Sequence, residues 1–525
     1  MARPNVLLIM ADQLSALATS PYGNREVLTP HMQALAERGA VFQHAYCNYP
    51  ICVPSRMSML TGRLPASIGA WDNGAELPAS TPTFLHHLRL AGYRTLMSGK
   101  MHFVGPDQLH GLERRLTSDI YPANYNLYRP WTEQGNPPRL ANTSMAMGVK
   151  TAGVRSWTHQ LEYDEEVHFR ALEQLRHFGM EHQRRAASTA SSAASGSGGA
   201  GRDDARPWFF CASYTHPHDP FHITQEYWDR YEGRDITLPA EAPPDHTPHE
   251  SDLWVRSYCR TDDVGITRDD VYRARRGYYA MTSYFDDKVG DLLRELDRFG
   301  LRENTLVIIT ADHGDMCGEH RMWFKRSARE WSARIPLLIA GPGIAGGHAA
   351  GENVSLVDLY PTLLSLLGLD WPVDLPHEMD GHDLSPLLAV PANGSSGRAR
   401  PDGAIVENYG AGTMKPVRAL AAHAEGPHGR RRYKYIYVHD LPPQLYDLDD
   451  DPGEWHNLAD HPAHAPVAAV LRDRLLAGWD GAEIERRVIA SQHQRDFVKR
   501  ALNAGEWTSW DYRPEFDAAK GAPRP

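Results

Sequence analysis

Cysteine is scarce. The five residues Cys47, Cys52, Cys211, Cys259 and Cys317 are spread over 525 positions, and no two form a CxxC pair. That excludes a disulfide scaffold and a Cys-rich zinc site, and predicts a reducing, cytoplasmic compartment. Long apolar runs are missing too. Val6–Ala11, near the N-terminus, is too short for a signal-peptide core. No segment approaches the ~18 uninterrupted apolar residues of a membrane span, so a soluble protein without a membrane partner is expected. Nor is there a basic excess. Lys and Arg number 55 against 66 Asp and Glu, a formal net charge of −11. Phosphate neutralisation needs a basic surface, so nucleic acid is not the expected partner.

What is present is a globular composition. Hydrophobic residues make up 42% and charged residues 23%, which rules out a disordered or fibrous chain. The length suits one large α/β core with an appendage. Val6–Ala11 reads as a buried parallel strand ending in Asp12. Thr29-Pro30 reads as a helix N-cap with Pro at the first position, and Gly39 as its stop. Phe84–Ala91, Asp286–Phe299 and Val357–Leu367 read as helices. Tyr93–Met97, Trp208–Ser213, Thr305–Thr310 and Ile335–Ala340 read as strands. Such alternation predicts a large, mostly parallel sheet sandwiched by helices. Ligands then bind at the carboxyl ends of the strands, where Asp12, His216 and Asp312 fall.

Two segments read as lying outside this core. Ala186–Gly201 contains only Ala, Ser, Thr and Gly, and is expected to be a flexible insertion. Pro391–Asp402 resembles a linker. Beyond it, short strands at Ala404–Glu407, Tyr433–Val438 and Gln444–Leu448, with a helix near Val467–Trp479, predict an α+β subdomain with an antiparallel sheet. The expected division is residues 1–400, 401–490, and a tail over 491–525.

The strongest local signal is Cys52-Val53-Pro54-Ser55-Arg56. A lone Cys beside a turn is ordinarily a small buried side chain. Here Pro50 and Pro54 fix the entry to a helix over Ser55–Thr61. Position 52 then faces a helix N-terminus, which favours an anion, and Arg56 can anchor it. Asp12 and the Asp312-His313 pair offer hard ligands for Ca²⁺, Mg²⁺ or Mn²⁺. Lys100 and His102 alternate after Gly99, so both can face one pocket.

C-x-P-S-R is the motif at which sulfatases have their cysteine oxidised to formylglycine. With Asp12, Lys100, His102, His216, Asp312 and Lys325, the chain resembles a sulfatase of the alkaline phosphatase superfamily from Asn5 to about Asp460. The resemblance implies that family's fold. It also implies a hydrated aldehyde at residue 52 as nucleophile, and a formylglycine-generating enzyme as maturation partner. It implies Asp12, Asp312, His313 and the modified Cys52 as metal ligands, Ca²⁺ before Mn²⁺ or Mg²⁺. Gln13 stands where many sulfatases have a second Asp, and its amide oxygen is a further candidate ligand. By the same resemblance Lys100 binds sulfate and His102 holds the diol. His216 binds sulfate or protonates the leaving oxygen, and Lys325 contacts the bridging oxygen. His218, Asp219, His110 and His320 are given supporting, structural places.

Ser98–Gly111, Asp119–Ala123, Trp323-Phe324-Lys325 and the tail Ser509–Pro514 look like choline sulfatases. That implies choline-O-sulfate as substrate and a tail reaching a neighbouring subunit, hence a homo-oligomer, dimer or tetramer. A quaternary ammonium needs aromatic faces and carboxylates. Glu407 and Asp511 match acidic positions of that pocket, and Tyr128 and Trp131 are nearby aromatics. Leu127 departs from the Trp of that family. The alternatives are an aryl sulfatase, or a phosphonate monoester or phosphodiester hydrolase of the same superfamily.

Overall fold

The computed structural model of the protein describes residues 3–125, 130–133, 135–195, 206–370, 378–388 and 401–505. Four strands come first: β1 (Asn5–Ala11), β2 (Ala40–Tyr46), β3 (Arg94–Gly99) and β4 (Arg114–Arg115). Next are β5 (Gly153–Val154), β6 (Trp208–Ser213) and β7 (His222–Ile223). Then come β8 (Thr305–Ala311), β9 (Leu337–Ala340) and β10 (His348–Ser355). Eight of these form one sheet in the order β10-β2-β9-β8-β1-β6-β3-β4, while β5 and β7 pair separately. Every pairing in the large sheet is parallel except those of β9, which runs antiparallel to β2 and β8. β1 is central, with Leu8 opposite Cys211 of β6 and Ile308 of β8. All residues of β1 and β8 are buried. That explains their continuous apolar runs, since a strand covered on both faces has no polar side to show.

Helices cover the sheet. His159–Ser195 packs Phe178 flat on Trp208, with ring centroids 4.6 Å apart. Arg268–Arg298 starts at a capping box in which Thr267 and Asp270 exchange hydrogen bonds. The sequence suggested only its second half. Its first half buries Arg275, Arg276, Tyr278 and Tyr279 together, so no polar stripe marks a helix there. Thr29 does not cap the Pro30–Glu37 helix, because its hydroxyl serves Ser20. Asp286 caps it from another helix, accepting from the N–H groups of His31 (2.9 Å) and Met32 (2.8 Å).

The His159 helix runs on through residues 186–195, where an irregular insertion was expected. Alanine has the highest helix propensity, and extending a formed helix needs no new nucleus. Residues 196–201 of that stretch lie outside the described residues, as does the expected linker up to residue 400.

The C-terminal strands β11 (Ala404–Asn408), β12 (Val417–Gly426), β13 (Gly429–Val438) and β14 (Gln444–Asp447) form an antiparallel sheet in chain order. The Ala465–Leu476 helix packs Leu471 and Leu475 on it. A second helix, Gly481–Asn503, crosses the boundary drawn at residue 490. Ile484 and Val488 pack with Trp71, Trp131 and Tyr409. Arg495 donates to both oxygens of Asp72, at 2.5 and 2.9 Å. Residues 491–503 are thus a docked helix. No helix among the described residues is long and apolar enough to cross a membrane.

Candidate active site

Three elements deliver acidic or nucleophilic groups to one buried point. β1 ends at Ala11 and presents Asp12; β8 ends at Ala311 and presents Asp312 and His313. The Cys52–Thr61 helix begins at Cys52 itself, with Ile51 as its extended cap residue and no capping side chain. Cys52 therefore sits in the first turn, where unpaired N–H groups favour negative charge. One ligand atom from each of Asp12, Cys52, Asp312 and His313 lies within 4.8 Å of the other three.

Cations surround this point. Lys325 Nζ is 3.2 Å and Lys100 Nζ 3.5 Å from Cys52 Sγ, and Lys100 also pairs closely with Asp12. Arg56, one turn along the helix, donates Nε to Asp312 Oδ2 at 2.8 Å. Its Nη1 donates to the Lys100 carbonyl (2.6 Å) and Ser213 Oγ (3.0 Å). All of these side chains are 3% exposed or less. Burial alone would raise the Cys52 thiol, but Lys100, Lys325, His313 and His102 drive it well below the ordinary value. Burial and Cys52 push Asp12 up, yet Lys100, His218 and Lys325 outweigh them and hold it ionised. Burial lowers His102, favouring its neutral ring.

With that geometry in hand, the relatives become informative. The family described as Sulfatase matches residues 4–369, N-sulphoglucosamine sulphohydrolase, C-terminal, matches 318–479, and Choline sulfatase enzyme C terminal matches 486–521. The chain belongs to the sulfatase family. It is a choline-sulfatase-like enzyme: a protein named Choline-sulfatase from Rhizobium meliloti is 38% identical over 98% of this chain and 94% of its own length. Arylsulfatase K from Homo sapiens is 27% identical over 87% of this chain and 79% of its own. Two solved structures share the fold. The phosphonate monoester hydrolase of Agrobacterium radiobacter has TM-score 0.64 at 23% identity, covering 90% of this chain and 95% of its own. A putative sulfatase from Bacteroides thetaiotaomicron has TM-score 0.62 at 21% identity, covering 95% and 94%.

The residues of this sulfatase fit a hard divalent cation. His313 Nδ1 lies 3.1 Å from the Gly314 carbonyl, which can only accept, leaving Nε2 as the ring atom that faces Asp12 and Asp312. Nε2 is 3.6 Å from one oxygen each of Asp12 and Asp312. Gln13 Oε1 is buried and has no hydrogen-bond partner, as an oxygen reserved for a metal would be. A donor set of carboxylate, amide and imidazole suits Ca²⁺, Mg²⁺ or Mn²⁺.

The structure departs from the sequence reading at the histidines. His218, expected in a supporting place, lies with Nε2 2.7 Å from Lys325 Nζ. His216 is held by Asp164 on the long helix, with its Nδ1 at 2.6 Å, and its buried Nε2 has no hydrogen-bond partner. Asp164 also accepts from the N–H groups of Thr215 (2.8 Å) and His216 (3.0 Å), fixing the turn that carries His218. Two histidines flank one proline here, and Asp164, far away in sequence, holds the ring of one and the turn that carries the other. Tyr121 was also missed. Its ring stacks on His102 at 4.8 Å and lies 4.4 Å under Lys100 Nζ. The segment around it was noticed, but nothing in its spacing marked the ring.

Two substrate-pocket candidates are engaged by the protein itself. Glu407 is fully buried, accepts from Ala66 N at 2.9 Å, and pairs with Arg418 at 3.2 Å. Trp131 donates Nε1 to the Gly410 carbonyl (3.2 Å) and packs under the Gly481–Asn503 helix. Leu127, Tyr128 and Asp511 lie outside the described residues. His110 packs on Phe103, and His320 stacks on Trp455.

Proposed function

We propose that this sulfatase hydrolyses a small alkyl sulfate ester, with choline-O-sulfate as its substrate. The carrying observation is the buried convergence of Cys52, Asp12, Asp312 and His313 beneath Lys100 and Lys325. Converted to formylglycine by a maturation enzyme, residue 52 would supply a hydrated aldehyde as the nucleophile toward sulfur. Asp12, Asp312, His313, Gln13 and residue 52 would hold a divalent cation, Ca²⁺ in the first instance, which supplies charge neutralisation to the sulfate and the nucleophile.

Lys100 and Lys325 offset charge on the sulfuryl oxygens as the ester bond breaks. A protonated ammonium and an imidazole 2.7 Å apart can pass a proton, so the Lys325–His218 pair delivers one to the leaving oxygen. An alkyl alcohol is a poor leaving group and depends on that proton. Arg56 holds Asp312 and the Lys100 backbone in register.

The choline assignment draws support from the choline sulfatase match over 486–521 and from the Rhizobium relative. Tyr128 and Asp511 remain its candidate contacts. A homo-oligomer with the tail crossing to a neighbour accompanies this reading. The five buried, unpaired thiols fit a cytoplasmic compartment. The test compares kcat/KM for choline-O-sulfate, a neutral aryl sulfate and an aryl phosphonate, using protein co-expressed with a formylglycine-generating enzyme. A lead of about a hundredfold for choline-O-sulfate, ~3 kcal/mol of transition-state discrimination, supports the proposal. Parity with the aryl sulfate removes choline, and preference for the phosphonate removes the sulfate ester.

A further inference from the structure

Gln13 does more than offer an oxygen. It follows β1 with a left-handed backbone, φ 68°, a conformation uncommon for a residue with a long side chain. Its main chain is held on both sides: the N–H donates to Asp312 Oδ1 (3.1 Å) and the carbonyl accepts from Tyr278 Oη (2.6 Å). Its side-chain nitrogen donates twice, to Asp219 Oδ1 (3.1 Å) and Asp315 Oδ2 (2.6 Å). With both carboxylates accepting, the amide nitrogen is the end that faces them. The oxygen, Oε1, is then left buried without a donor.

The two carboxylates belong to the two segments that carry the Lys325–His218 pair. Asp219 directly follows His218. Asp315 Oδ1 accepts from the N–H groups of Cys317 (2.7 Å) and Phe324 (3.0 Å), and Phe324 precedes Lys325. The division of labour within Asp315 is clean, with Oδ1 tying its own loop and Oδ2 receiving Gln13. One amide therefore bridges the β1 end, the His218 turn and the Lys325 loop.

We propose that Gln13 is a positioning residue that couples the cation site to the proton-delivering pair, its NH₂ cross-linking the His218 turn to the Lys325 loop. This rests on the cation site proposed above. It explains why an amide, and not a carboxylate, suits position 13 in this chain. An acid there would set three carboxylates against one another. The charge it added toward the cation would be offset by loss of the cross-link.

The test is a donor swap. In Gln13→Glu the oxygen ligand stays and the donor goes. In the double variant Gln13→Glu/Asp315→Asn the donor returns from the other side. The amide introduced at position 315 can keep its oxygen on the N–H groups of Cys317 and Phe324 while its NH₂ donates to the new carboxylate. Full-length, matured protein is used, with turnover on choline-O-sulfate and an aryl sulfate, Ca²⁺ titration after chelation, and the thermal midpoint. The expected result is a kcat loss of about tenfold or more in Gln13→Glu, larger than any change in KM, with most of it recovered in the double variant. If Gln13→Glu unfolds, recovery of the thermal midpoint in the double variant carries the same meaning. Unchanged kcat in Gln13→Glu, or a double variant no better than the single one, overturns the coupling. Ca²⁺ affinity and the midpoint are read without substrate, so failure of the substrate reading is seen separately. In that case the rescue persists in these two readouts while choline-O-sulfate is not turned over.

Discussion

Two buried charge clusters can be compared. One is the site around Cys52. The other lies where the C-terminal sheet meets the large one, around Glu330. There Glu330 Oε1 receives Tyr46 Oη and Lys434 Nζ, each at 2.8 Å, and Lys434 also donates to Glu454 at 3.0 Å. Arg334 and Arg432 stand 3.5 and 3.9 Å from the other oxygen. Burial would raise Glu330, but Lys434, Arg432 and Arg334 hold it ionised. In this seam opposite charges alternate and every ion has a counter-ion from the protein. In the site Asp12 and Asp312 also have counter-ions, Lys100 and Arg56, but two lysines converge on one sulfur and an amide oxygen has no donor. Burial penalises charge in both places. The seam offsets it internally and acts as a clamp, whereas the site leaves a remainder that a cation and an anionic ester can satisfy.

Breaking each cluster separates these roles. The largest expected effect is on turnover: Cys52→Ala should lower kcat/KM on the order of 10⁴-fold or more, with unfolding unchanged. Activity surviving that change would remove residue 52 from the chemistry. In the seam, Lys434→Met removes the counter-ion that Glu330 and Glu454 share and should cost about 3–5 kcal/mol in denaturant unfolding, with turnover per folded molecule retained. A loss of turnover without a loss of stability would erase the contrast. A smaller effect concerns His44, which contacts Arg432 in the seam. Burial, with Arg432 and Arg334, pushes its pKa down to about 3 from 6.5. The folded protein keeps this ring neutral while the unfolded chain protonates it. Stability should therefore fall as pH drops from about 6.5 towards 3, with a slope of at most ~1.4 kcal/mol per pH unit from this group. His44→Gln should flatten that slope, and an unchanged slope would assign the acid lability elsewhere.

Much of the site was legible because strand ends are. An apolar run closing on a carboxylate located Asp12 and Asp312, and two prolines around Cys52 marked a helix, which starts at Cys52 and not at Ser55. Side-chain direction in loops was not legible. His216 and His218 look alike in the sequence, and their fates are set by Asp164 through hydrogen bonds from a distant helix. Lys100 and His102 both reach the site, although His102 takes a positive φ of 62° after β3 has ended. The Gly481–Asn503 helix escaped notice because few apolar residues mark it and its anchor, Arg495 to Asp72, is an ion pair across the chain. Glu407 shows the converse: an acid in a suggestive place is consumed by Arg418 and a backbone N–H.

The most direct test of the contrast is calorimetric titration of Ca²⁺ into matured, chelator-treated protein, run in parallel on Asp312→Asn and Lys434→Met. One Ca²⁺ per chain is expected, lost in Asp312→Asn and kept in folded Lys434→Met. Binding that ignores Asp312, or that fails with Lys434→Met at native fold, would contradict it.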